Sequence, residues 1–265
     1  MKILKDSIFK IGKAHSVCQD YAAHKGDIIA LSDGCSSSEN TDFGARMLIN
    51  RQIQSKIFAF DYESALFMAF VDAKQLGLNL EILDATLLVG KIFSNKLNFS
   101  ITGDGVFSYQ LKDNTIKIVQ VEFANNAPYY LSYMLSVSRN ENYLQIFGGQ
   151  KTITEYTLEN GKVINTEIKI VAYNECCEYE FNVNDLKSFF LFSDGVETFH
   201  QVIKTETSKF TKDIPTVDSV LEIMNCPTFG PFLEKKYTKL SEQHAKQGIF
   251  HSDDLSVAAF LFQDD

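Results

Sequence analysis

The sequence predicts an α+β fold of antiparallel sheets packed by helices, and three observations carry that expectation. Short apolar runs recur and end in aspartate followed by glycine: Ile28-Ile29-Ala30-Leu31-Ser32-Asp33-Gly34, Phe189-Phe190-Leu191-Phe192-Ser193-Asp194-Gly195 and, more loosely, Phe99-Ser100-Ile101-Thr102-Gly103-Asp104-Gly105. A continuous apolar run bounded by glycine reads as a buried strand, and Asp-Gly turns the chain where that strand meets solvent. Apolar residues at helical spacing fill two other stretches, 43–76 and 217–247. Hairpins and helices therefore interleave without the regular strand–helix alternation of a parallel sheet.

Residues 1–34 read as a β-hairpin, Ser7 to Ile11 and then the run ending at Asp33, followed by the polar loop Cys35 to Asn40 with capping residues at its end. Phe43, Met47, Ile49, Ile53, Ile57 and Phe60 give one helix. A second starts with Asp61 as N-cap, carries Leu66, Ala69, Phe70, Ala73 and Leu76, and stops at Gly77. Strands follow at Thr86–Val89, Leu97–Thr102, Val106–Leu111 and Ile116–Val121, with turns at Ser94-Asn95 and Asp113-Asn114. Residues 122–182 are rich in Tyr, Phe and Asn. They hold two strand-like pieces, Thr152–Leu158 and Lys162–Val171, joined by Glu159-Asn160-Gly161, and read as a flap or insertion. Strand Ser188–Ser193, helices Val217–Asn225 and Phe232–Gln247, and strand Leu255–Phe262 complete a single domain spanning 1–265.

Composition narrows the function. A formal charge of −9 argues against a general nucleic-acid or anionic-membrane binder. Three arginines (Arg46, Arg51, Arg139) stand among 25 basic residues, so a site needing a guanidinium fork has few candidates. The five cysteines form no pair of spaced pairs, and Cys176-Cys177 is a poor disulfide; they read as reduced thiols. With a polar start and no apolar run long enough to span a bilayer, the expectation is a cytoplasmic, monomeric protein.

The chemistry-bearing positions are carboxylates: Asp20, Asp33, Asp104, Asp194 and the pair Asp253-Asp254. Each stands at the start or end of a strand-like run, and each alone is an ordinary turn residue. Together at one rim they would repel unless a cation held them. Hard oxygen donors without an imidazole or thiolate cluster suit Mg²⁺ or Mn²⁺ rather than Zn²⁺, and such a site binds phosphate oxygens and acidifies water.

In order, Cys18-Gln19-Asp20-Tyr21-Ala22, Ala30-Leu31-Ser32-Asp33-Gly34, Asp84-Ala85-Thr86, Thr102-Gly103-Asp104-Gly105, Phe192-Ser193-Asp194-Gly195-Val196 and Ser252-Asp253-Asp254-Leu255-Ser256 occur in the chain. This resembles the successive motifs of the metal-dependent serine/threonine phosphatases of the protein phosphatase 2C type, in the style of the bacterial single-domain members. The likeness runs from about residue 10 to 262. It implies a four-layer α-β-β-α sandwich, two antiparallel sheets flanked by helices, with two and at most three Mn²⁺ or Mg²⁺ ions at one end. By the same resemblance Asp33 bridges two metals and the Gly34 carbonyl binds the second. Asp194 and Asp253 complete the first site, so that Asp33, Asp194 and Asp253 form the catalytic set. Asp20 contacts the second metal, mostly through water, and Asp104 helps hold a third, while Asp254 stands where the family usually has asparagine.

Two departures bear on substrate. Many members carry an arginine five residues before the early aspartate, where it grips phosphate; here that position is His15, which is also an ordinary surface residue. Cys35 follows Asp33-Gly34, where some members have a histidine. The resemblance implies hydrolysis of phosphoserine or phosphothreonine in a protein substrate by metal-activated water. The alternatives are a catalytically weak regulatory or binding protein of the same fold, and a hydrolase of small phosphate esters.

Overall fold

The computed structural model describes residues 1–54, 62–174, 177–204 and 208–263. In chain order the strands are β1 (Lys2–Lys10), β2 (Tyr21–Lys25) and β3 (Ile28–Ser32), followed by helices α1 (Thr41–Gln54) and α2 (Tyr62–Gln75). Then come β4 (Leu87–Phe93), β5 (Lys96–Thr102), β6 (Gly105–Leu111), β7 (Ile116–Phe123), α3 (Val137–Phe147), β8 (Gln150–Glu159), β9 (Lys162–Ala172), β10 (Cys177–Asn182) and β11 (Leu186–Phe192). The chain continues through β12 (Phe199–Lys204), β13 (Lys209–Asp213), α4 (Thr216–Met224), α5 (Phe232–Gln247), β14 (Ile249–His251) and β15 (Leu255–Gln263).

These strands form a seven-stranded sheet, β1-β15-β11-β6-β7-β8-β9, a five-stranded sheet, β10-β5-β4-β3-β2, and a small sheet, β13-β12-β14. Every pairing is antiparallel. The two large sheets face each other through a core that includes Leu31, Phe99, Phe107, Phe189 and Phe260. Ala45, Leu48, Leu66 and Ala69 of α1 and α2 cover the outer face of the five-stranded sheet. Val220, Ile223, Phe232 and Leu240 of α4 and α5 cover that of the seven-stranded sheet. The expected four-layer α-β-β-α sandwich is the observed one, and the small third sheet is an addition to it.

One expected pairing is overturned. The segment 7–11 does not form a hairpin with the run ending at Asp33: β1 lies beside β15 in the other sheet, and β3 pairs with β2 and β4. The cause is that β3 is buried along its whole length. Such a strand needs a neighbour on each side, and the two-residue turn at Gly26 (φ +57°) and Asp27 supplies the nearer one. At β1, the carboxylate of buried Asp6 accepts the Leu233 N–H at 2.8 Å and so caps the start of α5.

Helix positions also shift. Phe43 and Leu76, expected on buried faces, are exposed, while Gly44, Ala45 and Gln52 turn inward instead. Ile57, Phe60 and Asp61 lie outside the described residues. Residues 122–182 supply β8 and β9 at one end of the seven-stranded sheet, helix α3, and the edge strand β10.

Candidate metal centre

The antiparallel registers gather the candidate carboxylates at one end of the sandwich. Tyr21 is opposite Ser32, so Asp20 at the start of β2 stands beside Asp33 at the end of β3. Phe192 is opposite Val257 and Val106, which brings the end of β11, the start of β15 and the start of β6 together. Asp194, Asp253 and Asp104 are therefore neighbours, and Asp104 occupies the corner where the chain passes from one large sheet to the other.

Short hydrogen bonds hold these turns. The Asp33 N–H donates to Thr86 Oγ1 at 3.0 Å, and the Thr86 N–H returns a bond to the Asp33 carbonyl at 2.8 Å. The Ser256 N–H donates to Ser193 Oγ at 2.9 Å, tying the turn before Asp194 to the strand after Asp254. The Asp253 N–H donates to Thr198 Oγ1 at 3.1 Å. Its carbonyl accepts from His251 Nδ1 at 2.7 Å, which leaves His251 Nε2 to accept from the Tyr237 hydroxyl at 2.7 Å.

Close packing fixes the same loop. A Cβ on Gly12 would lie 2.2 Å from the Asp253 carbonyl carbon, and one on Gly195 would lie 1.8 Å from the Asp254 carbonyl oxygen. Gly12→Ala is therefore expected to cost about 1–3 kcal/mol of stability by overpacking, measured by urea unfolding of the purified variant.

Within this frame Asp33 lies within hydrogen-bonding reach of both Asp20 and Asp194, and the charge of Asp194 also bears on Asp20. Both carboxylate oxygens of Asp20 and Oδ1 of Asp194 are buried without a hydrogen-bond partner. Burial, together with the neighbouring Asp194 charge, pushes Asp20 up to about 7. Burial and the Asp253 charge push Asp194 up to about 6. Asp33 is raised well above the usual carboxylate range by burial and by Asp20 and Asp194, and Asp104 by burial and Asp194. Such a set is costly unless protons or a cation neutralise it.

Asp254 does different work. Its Oδ1 accepts the Gly12 N–H and its Oδ2 the Gln19 N–H, each at 2.7 Å, so the carboxylate pins the loop that carries His15. His15 lies against the cluster, with Nδ1 3.0 Å from Asp254 Oδ2 and Nε2 3.4 Å from Asp253 Oδ1. Burial works against a charged ring there, yet Asp254, Asp253 and Asp20 hold its pKa above the ordinary value. His15, Asp253 and Asp254 are close enough to share a cation. Because both Asp254 oxygens are already engaged, the trio reads as an ion pair.

Several residues of the site carried no assigned role in the sequence. Asp84, buried behind the Asp33 turn, accepts from Ser132 Oγ at 2.5 Å, Ser38 Oγ at 2.9 Å, and the Arg139 guanidinium at 2.8 and 2.7 Å. Its carbonyl accepts the Cys35 N–H at 2.8 Å. The Asp84-Ala85-Thr86 motif was the available signal. Glu197, one turn after Asp194, is pushed up to about 8 by burial and by Asp194. Tyr130 lies near Cys35, Asp104 and Asp33, and burial keeps its phenol protonated; nothing in the sequence marks it. The arginines are already engaged: Arg46 stacks on Phe9 and Tyr21, Arg51 pairs with Asp72, and Arg139 pairs with Asp84 at the edge of the site. Cys18, Cys35 and Cys226 are free thiols.

The family model described as protein phosphatase 2C matches residues 12–247. No curated protein sequence matches the chain. Among solved structures, PppA, described as a key regulatory component of the T6SS in Pseudomonas aeruginosa, is 13% identical with a TM-score of 0.54, and the match covers 98% of each chain. The Mycobacterium tuberculosis serine/threonine phosphatase PstP is also 13% identical at a TM-score of 0.54, over 99% of each chain. A PstP catalytic domain in complex with two manganese ions has a TM-score of 0.51, and Stp1 from Staphylococcus aureus, 10% identical over 100% of this chain and 96% of its own, has 0.53. At these identities the likeness is one of fold. The family match extends over most of the sequence, and by it the chain belongs to the protein phosphatase 2C family.

Proposed function

We propose that the chain is a metal-dependent phosphatase acting on phosphoserine and phosphothreonine in proteins. The observation that carries this reading is the clustering of the Asp20, Asp33 and Asp194 carboxylates, in which both oxygens of Asp20 and Oδ1 of Asp194 are buried without a hydrogen-bond partner. All-oxygen donors of this kind fit Mn²⁺ or Mg²⁺, in keeping with the metal dependence of the family and the two manganese ions of PstP. Asp33, the Gly34 carbonyl, Asp194 and Asp253 would hold two ions, with Asp20 beside the second and Asp104 beside a third. The chemistry supplied there is Lewis-acid charge on the phosphoryl oxygens and a lowered pKa for the attacking water.

The chain's own groups orient that chemistry. The His251 and Thr198 hydrogen bonds fix the backbone of Asp253, and the Thr86 pair fixes that of Asp33. His15 sets a basic ring beside Asp253, where it would meet the substrate phosphate. A ring grips phosphate less firmly than a guanidinium fork, so binding is weaker than with arginine. The Tyr130 phenol offers a hydrogen bond from the 122–182 segment, which would serve as the flap that selects substrates in a cytoplasmic, phosphoprotein-directed enzyme. Among the described residues no helix is long and apolar enough to cross a membrane.

The test is phosphate release from a phosphothreonine peptide by EDTA-stripped protein, with and without added Mn²⁺. Release is expected only with metal, and His15→Ala is expected to raise KM about tenfold with a smaller change in kcat. Metal-independent release would overturn the assignment. Better turnover of a small phosphate ester than of any phosphopeptide would shift it to that substrate class. The engagement of His15 by Asp253 and Asp254 favours one second reading, a regulatory protein of phosphatase fold. Calorimetric Mn²⁺ binding with no hydrolysis of any ester would establish that reading.

A further inference from the structure

Strand β9 is the outermost strand of the seven-stranded sheet and pairs only with β8 among the described residues. It is the longest strand of the fold, eleven residues, and is exposed at every position except Val171. None of its residues enters the three apolar clusters. Even so, Val163, Ile164, Ile168 and Ile170 are apolar, with Ile168 and Ile170 each about two-thirds exposed (66% and 67%). The register sets Ile168 opposite Thr154, Ile170 opposite Thr152 and Val163 opposite Leu158, so these side chains share one face. A long edge with open N–H and C=O groups and an apolar stripe is a template for another strand.

The charges of β9 specify which strand. On its other face Glu167 lies opposite Glu155 of β8, and the Glu155 carboxylate is already engaged by Lys117 of β7 at 2.6 Å. Among the described residues Glu167 receives the Asn165 amide at 3.2 Å and a distant Lys169 at 3.9 Å. Pairing β9 with a copy of itself about a twofold axis keeps each side chain on its face only in registers centred on a residue. Centring on Glu167 or on Lys169 sets like charges directly opposite. Centring on Ile168 sets each Glu167 opposite the other copy's Lys169 and brings the two Ile168 side chains together. Cross-strand opposite charges stabilise a pair and like charges destabilise it.

We propose that β9 is a self-association edge, and that two copies of the chain pair antiparallel about Ile168 into one continuous sheet. The shift at Leu158 interrupts the regular register near Val163 and confines the pairing to about residues 165–171. The carboxylate cluster lies at the strand ends of the sandwich and is not part of this edge, so the proposal does not depend on the phosphatase reading.

Sedimentation equilibrium of the full chain is expected to show a dimer. Glu167→Lys and Lys169→Glu are each expected to weaken association about tenfold or more, and the double variant, which restores opposite charges, is expected to recover it. Oxidised Ile168→Cys is expected to run as a covalent dimer on a non-reducing gel, while Asn165→Cys, which would face Val171 of the other copy, stays monomeric. Far-ultraviolet circular dichroism confirms that each variant is folded. A wild-type chain that stays monomeric at tens of micromolar would overturn the proposal. Single-charge variants that associate as tightly as the wild type would do the same, as would a double variant that fails to recover.

Discussion

Asp33→Asn and Asp194→Asn are each expected to lower metal-dependent phosphate release from a phosphothreonine peptide by about a thousandfold or more, a loss on the order of 4 kcal/mol of transition-state stabilisation. The substitution keeps the shape of the side chain and its capacity to accept one hydrogen bond, but removes the charge that would hold a cation. Both residues sit on backbone fixed independently of their carboxylates, Asp33 by the Thr86 pair and Asp194 by the Ser193–Ser256 ties. The fold therefore has no reason to move. Relieved of mutual repulsion, the metal-free variants are expected to melt higher than the metal-free wild type, which separates a lost ligand from a damaged fold. The His15→Ala effect on KM is a different signature, because His15 touches the cluster from outside through Asp253 and Asp254. An Asp194→Asn protein that keeps activity within tenfold of wild type would remove the metal centre from the account.

The carboxylates are legible because each stands where an apolar run starts or stops. Ile28–Ser32 and Leu186–Phe192 are buried strands, and a residue that follows such a strand must emerge at the sheet end. Antiparallel pairing then brings strand starts and strand ends to the same rim, so one pattern in the chain becomes one cluster in space. What could not be read is what depends on long-range partners. Asp84 and Arg139 are 55 residues apart, and neither has a local pattern that announces the other. Tyr130 sits in a segment whose short helical turns follow no single period. Strand β1 precedes β3 in sequence, and that order alone suggests the hairpin that the fold does not form. Its true partner, β15, is at the far end of the chain. The small sheet of β12, β13 and β14 leaves no sequence signal because its strands are short and mostly half-exposed, with β13 exposed at every position, and lack the alternation that marks a buried face.

Stripped of metal, the protein is expected to become less stable as pH rises from about 4 to about 8, the reverse of what paired surface carboxylates would give. A carboxyl raised in the folded state binds more protons there than in the unfolded chain, whose aspartates titrate near 3.8. Across that window the slope of unfolding free energy against pH is negative. Stability is therefore complete below the unfolded pKa and is lost as pH passes about 6 for Asp194, about 7 for Asp20 and about 8 for Glu197. Buried Asp20 alone contributes on the order of a few kcal/mol. Saturating Mn²⁺ should offset the loss, since a cation bound only to the folded chain at about a hundred times its Kd adds about 2.7 kcal/mol. Its effect should grow with pH, because the carboxylates must shed their protons to bind it. Urea unfolding of EDTA-stripped protein at several pH values, repeated with Mn²⁺, reads both trends. Stability that is flat in pH without metal, and unmoved by Mn²⁺, would mean that the buried carboxylates are neutralised by protein groups and that the centre holds no ion. The two experiments thus probe one electrostatic conflict from opposite sides: removing a charge should relieve it at the expense of turnover, and supplying a cation should relieve it while enabling turnover.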